Sequence, residues 1–118
     1  MQVMKPVTED LLFQMSDCDS LDQIEVLSFK FIEDGHHEKH SSVLRVIQKC
    51  PNIAILYLQS NLINVRDMHH LQTFENLKKI DLSNNQLDSL PPATVFAGLT
   101  SLQFLYLHNN NISKWQDL

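Results

Sequence analysis

Residues Leu77 to Leu87 read LKKIDLSNNQL, and within them Leu77, Ile80, Leu82 and Leu87 are apolar. Asn85 stands among them at a position whose spacing points inward. The same offsets recur in NIAILYLQSNLI, as Ile53, Leu56, Leu58, Asn61 and Ile63. They recur again in SLQFLYLHNNNI, as Leu102, Leu105, Leu107, Asn110 and Ile112. The shared pattern is apolar-xx-apolar-x-apolar-xx-Asn-x-apolar. Ile53 to Leu77 is a step of 24 residues, and Leu77 to Leu102 a step of 25.

Repetition at a fixed period determines the architecture before any local reading does. Each repeat predicts one coil of a solenoid. Its alternating apolar pair (Leu56 and Leu58; Ile80 and Leu82; Leu105 and Leu107) forms a short strand facing the core, and the strands lie parallel along a concave face. The predicted class is therefore α/β, with turns and at least one helix on the convex side. After each strand the chain turns sharply while still inside the apolar stack. That turn would bury backbone N–H and C=O groups without strand partners, at about 1–3 kcal/mol each. An asparagine amide carries donors and an acceptor, so it can pair with them. Asn61, Asn85 and Asn110 are accordingly expected to stack as a structural ladder rather than to act chemically.

A degenerate copy precedes these three. In IEVLSFKFIED, Ile24, Leu27 and Phe29 keep the strand spacing while Ile32 takes the asparagine position. The step from Ile24 to Ile53 is 29 residues. In the extra length, Val43, Val46, Ile47 and Cys50 fall at i, i+3, i+4 and i+7, one face of a helix that Ser41 or Ser42 can cap. The first coil should thus return through a true helix and the later ones through looser turns. Residues 7–15 read as a second helix, with Thr8 as N-cap and Glu9 and Asp10 in the first turn. Residues 1–20 are the expected N-terminal helical cap, and residues 21–118 about four repeats, the last incomplete. An open last coil exposes apolar surface, so its edge is expected to be covered by further repeats of a longer protein or by a partner.

Residues between the core positions of each strand point to the open inner face. One row across the coils is Val26, Ile55, Lys79 and Phe104. The next is Ser28, Tyr57, Asp81 and Tyr106, and the third is Lys30, Gln59, Ser83 and His108. Aromatic and aliphatic groups around a Lys79/Asp81 pair have the composition of a protein-binding hot spot. The candidate site is Ile55, Tyr57, Gln59, Lys79, Asp81, Phe104, Tyr106 and His108. Strand preference alone also accounts for the tyrosines.

Composition narrows the function classes. The 118 residues are 43% hydrophobic and 19% charged, an ordinary globular balance. A formal charge of -5 argues against binding a nucleic-acid backbone, which needs clustered Lys and Arg. No apolar run suggests a membrane span, and no apolar core behind a basic leader suggests secretion. Cys18 and Cys50 are too few for a disulfide framework, so a reducing intracellular, cytoplasmic setting is expected, with Asn111-Ile112-Ser113 unused as a glycosylation acceptor. The run HHEKH (His36 to His40) departs from the H-E-x-x-H metalloprotease pattern, because Ser41 stands where the second histidine belongs. With Gly35 beside it, the run reads as a solvated loop. His69 and His70 have no neighbouring nucleophile. The only glycines, Gly35 and Gly98, exclude a phosphate-cradling loop. No enzyme activity, metal or cofactor is expected.

The three full repeats identify the chain as a member of the leucine-rich-repeat superfamily over about Leu21 to Leu118. The opening VTEDLL, the degenerate first repeat and ILYLQSNLI resemble intracellular short-array proteins of the phosphatase-regulator type, above all cilia- and axoneme-associated members. That resemblance implies a protein-binding or scaffolding role in an axonemal or dynein-assembly complex. CPNIAILYLQSNLI is also similar to acidic nuclear relatives, and the helix-first opening to a spliceosomal one, which implies the alternative of a nuclear ribonucleoprotein component binding a protein partner. LPPATVFAGLTSLQFLYLHNNNI looks like the generic typical repeat. The chain departs from the subfamily at Arg66, where an apolar residue is expected and where Leu90 and Trp115 supply one in the next two coils.

Overall fold

A computed structural model describes residues 9–29, 43–90 and 92–112 of the chain. The features expected at Thr8, Lys30, Ile32, His36 to His40, Ser41, Ser42 and Trp115 lie outside the described residues. Four three-residue strands form one parallel sheet in chain order: β1 (Val26–Ser28), β2 (Ile55–Tyr57), β3 (Lys79–Asp81) and β4 (Phe104–Tyr106). Val26, Ile55, Lys79 and Phe104 are register partners across the sheet, as are Ser28, Tyr57, Asp81 and Tyr106. Leu27, Leu56 and Ile80, the central residues of the first three strands, are at most 1% exposed. Alternation thus sends one side chain per strand into the core and two to the open face.

The hydrogen bonds between neighbouring repeats themselves recur. The amides of Ala54 and Ile55 both donate to Glu25 O, those of Lys78 and Lys79 to Ala54 O, and those of Gln103 and Phe104 to Lys78 O. Past the strands, Phe29 N donates to Tyr57 O, Leu58 N to Asp81 O, and Leu82 N to Tyr106 O. The chain then bends through a left-handed residue at matched positions, Ser60, Asn84 and Asn109, with φ of 62°, 57° and 56°. Asparagine tolerates that region better than most residues, which suits it to two of the three positions.

Next comes the asparagine. The Asn85 amide donates to Leu58 O at 3.0 Å, Leu82 O at 2.9 Å and Ser83 O at 3.2 Å. Its Oδ1 accepts from the amides of Asn61 at 2.8 Å and Ile63 at 3.0 Å. Asn61 donates to Phe29 O and Gln59 O. Asn110 donates to Leu82 O and Leu107 O, and accepts from Leu87 N. Each side chain therefore ties its own turn to the turn of the repeat before it.

The return segments lie on the core side of the sheet. α2 (Val43–Ile47) buries Leu44, Val46 and Ile47, and Cys50 just beyond it is also fully buried. The second return is a 3₁₀ segment, Val65–Thr73, that buries Met68 and Leu71. Arg66 is exposed; Met68 fills the inward place instead. The Asn64 side chain accepts from Arg66 N at 3.0 Å, and Asp67 Oδ2 from Asn64 N at 3.2 Å, so this segment starts on reciprocal caps. The third return holds α3 (Ala93–Ala97) with Val95 buried. The expectation of looser turns in the later repeats is corrected here. Pro92 at the N-cap is extended, with φ of -58° and ψ of 152°, and Val95 and Leu99 after it supply an apolar pair four residues apart that rewards a helical turn. At the other end, α1 (Glu9–Ser16) packs against β1 with Leu12 fully buried. Asp17, left-handed at φ 58°, ends it by donating its N–H to Phe13 O.

Two expectations follow from this packing. Asn85→Ala removes five hydrogen bonds from a side chain that is 8% exposed. It should cost about 2 kcal/mol or more, and Asn110→Ala, half-buried, should cost less. Chemical denaturation of both variants checks the order, and equal midpoints to wild type would contradict the ladder. A Cβ on Gly98 would meet Gln72 O at 2.8 Å, a backbone atom that cannot swing away. Gly98→Ala should therefore destabilise by about 1–3 kcal/mol, like other overpacked sites; an unchanged melting temperature would show that the two return segments separate freely.

Candidate protein-binding face

The strands turn two rows of side chains to the open face, and burial grades across them. Val26 is 52% exposed, Phe104 50% and Tyr106 39%. Ile55, Tyr57, Lys79 and Asp81, on the two central strands, are half-buried by their neighbours. Gln59 and His108 lie beyond the strand ends, on the turns. His108 is exposed and Gln59 half-buried, with Gln59 Oε1 buried and without a hydrogen-bond partner. Ser83, between them in the row, is only 2% exposed. Six of the eight candidate residues thus share the strand rows, while Gln59 and His108 border them.

At the centre, the Lys79 ammonium lies 5.2 Å from the Tyr57 ring centroid and 5.6 Å from that of Tyr106. Both distances are within the range at which a ring face attracts a cation. The pair expected between Lys79 and Asp81 does not form an ion pair. Asp81 Oδ1 instead accepts from Ser83 N at 3.0 Å and Ser83 Oγ at 2.6 Å. Tethered to the turn, the carboxylate leaves the lysine to the rings. The register signals this arrangement, because Lys79 is diagonal to a tyrosine on each flanking strand, within reach of a long side chain. The strand rows place Lys79 and Asp81 together on the face without indicating which neighbour the lysine takes.

Elsewhere the titratable groups serve structure. Burial, with Glu9 adding to it, pushes the Cys50 thiol up to about 11, which makes it a core residue rather than a nucleophile. His69, exposed, directs Nδ1 to Arg66 O at 2.6 Å. His70 is half-buried, with Nδ1 2.8 Å from Gln48 Oε1, a contact that holds the second return segment to the residues after α2. Among the described residues no three His, Cys, Asp or Glu side chains gather to hold a metal ion, and no helix is long and apolar enough to cross a membrane. In the last repeat, Leu107, His108, Asn109, Asn110 and Ile112 line an open cavity of about 360 Å³.

The sequence pattern of the leucine rich repeat family matches residues 51–112, more than half of the chain. The chain belongs to this family. It is also similar to the leucine-rich repeat and IQ domain-containing protein 3 of Homo sapiens, 34% identical over 79 residues that make up 67% of this chain and 12% of that protein. The Rattus norvegicus protein of the same name is 32% identical over 88 residues, 75% of this chain and 14% of that protein. The chain therefore spans about an eighth of the length of these relatives. No solved structure matches it. Leucine-rich repeats generally mediate protein–protein interaction, and a parallel sheet with helices behind it is the fold of this family.

His70 supplies a prediction for this repeat array. Its pKa is lowered from 6.5, first by burial, then by His69 and Arg45, against a raising contribution from Asp67. The unfolded chain then binds the proton more readily, so stability falls as pH drops below about 6.5, the unfolded value. Above that pH the histidine has no effect. The imidazole should titrate below 6.5 by NMR, and melting temperature should drop less from pH 7.5 to 5.0 in His70→Gln than in wild type. Parallel drops in the two proteins would remove His70 from the acid response.

Proposed function

We propose that this chain is a non-enzymatic protein-interaction module whose repeats are successive coils of a solenoid. In this reading residues 1–20 form the N-terminal cap, residues 21–118 form the coils, and the sheet is the concave face. One observation carries the binding role. Val26 on one edge strand and Phe104 and Tyr106 on the other expose large apolar side chains on one register-defined face, and apolar groups set among polar ones on an open face mark interaction sites. Ile55, Tyr57, Lys79 and Asp81 complete that surface, and Gln59 and His108 border it.

The partner is a protein within a larger complex, with no role for membrane or direct nucleic-acid contact. The setting we infer is intracellular and cytoplasmic, in a ciliary or flagellar axoneme or a dynein-assembly complex. The resemblance of VTEDLL and ILYLQSNLI to axonemal short-array proteins supports it. The open edge of β4, where Leu105, Leu107 and Ile112 are only partly buried, is covered by further repeats or by a partner. An Asn-bearing coil in the same register suits the cavity there.

Affinity capture from ciliated cells tests this reading, with wild type compared with Tyr57→Ala/Tyr106→Ala. The variant should fold, because both rings lie on the open face, with a circular dichroism melt within about 1 kcal/mol of wild type. Axonemal or dynein-assembly proteins should be captured by wild type and lost at least tenfold in the variant. Splicing proteins in their place would transfer the module to the nucleus, and partners indifferent to the variant would move binding to another surface.

A further inference from the structure

The face offers more than apolar area. It holds one ammonium, Lys79, placed near two aromatic rings and bordered by exposed hydrocarbon on the outer strands. We propose that this face binds an amphipathic helix of a partner protein carrying a glutamate or aspartate within its apolar stripe, the carboxylate seated on Lys79 between Tyr57 and Tyr106. The inference rests on the reading of the face as a binding surface and names the chemistry of its occupant.

Charge selects the carboxylate. Asp81, two residues along the same strand, is tethered to Ser83 N and Oγ, and the Lys79 ammonium is left without a carboxylate partner among the described residues. Neither tyrosine hydroxyl donates to a protein acceptor among them. A carboxylate arriving there meets a charged donor beside two ring faces, and a charge-assisted hydrogen bond is roughly twice as strong as a neutral one. A basic side chain would meet the same ammonium as a like charge.

Geometry selects the helix. Neighbouring strands are spaced about 4.8 Å apart, and one helical turn rises about 5.4 Å. A helix laid across the strands thus places residues i-7, i-4, i and i+3 over β1, β2, β3 and β4. With the acid at i over Lys79, apolar side chains fall on Val26, Ile55 and Phe104, its register partners. The face presents side chains and no free backbone, so an extended peptide would lie there with its own N–H and C=O groups unpaired. A helix satisfies those groups internally.

The test uses a helical probe with leucines at i-7, i-4 and i+3 around a central glutamate, and alanine and glutamine elsewhere. Its binding to the 118-residue chain is measured by calorimetry. The Glu→Gln probe should bind about tenfold or more weakly, the scale of a charge-assisted hydrogen bond. Lys79→Met should lose the same factor while its melt stays at the wild-type temperature. Lys79→Glu should prefer a probe with lysine at the centre. Equal binding of the Glu and Gln probes, or an unchanged affinity in Lys79→Met, overturns the proposal. If both probes bind equally but lose affinity in Tyr57→Ala/Tyr106→Ala, the face binds and the acidic occupant is wrong. If neither probe binds wild type while cellular partners still depend on the two tyrosines, the helical acidic partner is again wrong and the binding face stands.

Discussion

A chain that turns inside an apolar stack must pair its own backbone there. A buried side chain such as Leu82 or Ile80 contributes about 1.5–3 kcal/mol, and one unpaired backbone group in the same place costs about 1–3 kcal/mol. The two are of the same size, so two or three orphaned groups per turn would cancel the gain from a strand's apolar pair. The carboxamide of Asn85 resolves this by serving both sides at once. It donates to Leu58 O and Leu82 O, and accepts from the amides of Asn61 and Ile63. A hydroxyl offers a single donor and an ionised carboxylate none, whereas the carboxamide offers two beside its acceptor. Hence asparagine recurs where the rest of the pattern is aliphatic.

That constraint also fixes the open face. With the turn pinned to the preceding turn, the register of each strand is set, and a one-residue slip would send Tyr57, Asp81 and Tyr106 into the core. The Lys79 arrangement follows from the same register. A lysine kept only for solubility extends into water, where its side chain retains up to about 2 kcal/mol of rotamer freedom. Lying between Tyr57 and Tyr106, it gives up part of that freedom for cation–π attractions of about 0.5–1 kcal/mol each at exposed sites. The two effects nearly balance, so the lysine is held in place without being locked. A ligand that adds a carboxylate would tip that balance toward order.

The repeats, the strand parity and the asparagine offsets were legible because they rest on spacing, and spacing survives translation into three dimensions. The second and third return segments were harder. Val65 to Thr73 carries Met68 and Leu71 at a three-residue interval, which a search for four-residue helical spacing passes over, although Asn64 and Asp67 advertise a capped start. The return through Pro92 to Leu99 offered Val95 and Leu99 at helical spacing, too short a pattern to mark a helix. The candidate face was half legible. Parity placed Ile55, Tyr57, Lys79, Asp81, Phe104 and Tyr106 on one face, but a linear pattern holds no information on which neighbour a flexible lysine chooses. The Ser83 tether on Asp81 decided that, through a contact two residues along the chain.

The fourth repeat has the same pattern as the third yet a different environment. Ile80 and Leu82 are fully buried, whereas Leu105 and Leu107 are partly exposed; among the described residues β4 has one strand neighbour and β3 has two. In stacked repeats, stability is roughly a sum of each unit and its neighbour interfaces, so the last described repeat is the least supported. Phe104 and Tyr106 belong to that repeat, and Tyr57 and Lys79 to the better supported ones. On the proposed reading, a partner that spans β2 to β4 would touch both, and its contacts with Phe104 and Tyr106 would add to the support of the last described repeat. If the face binds as proposed, binding and the stability of the last described repeat would be coupled through the same two rows of side chains.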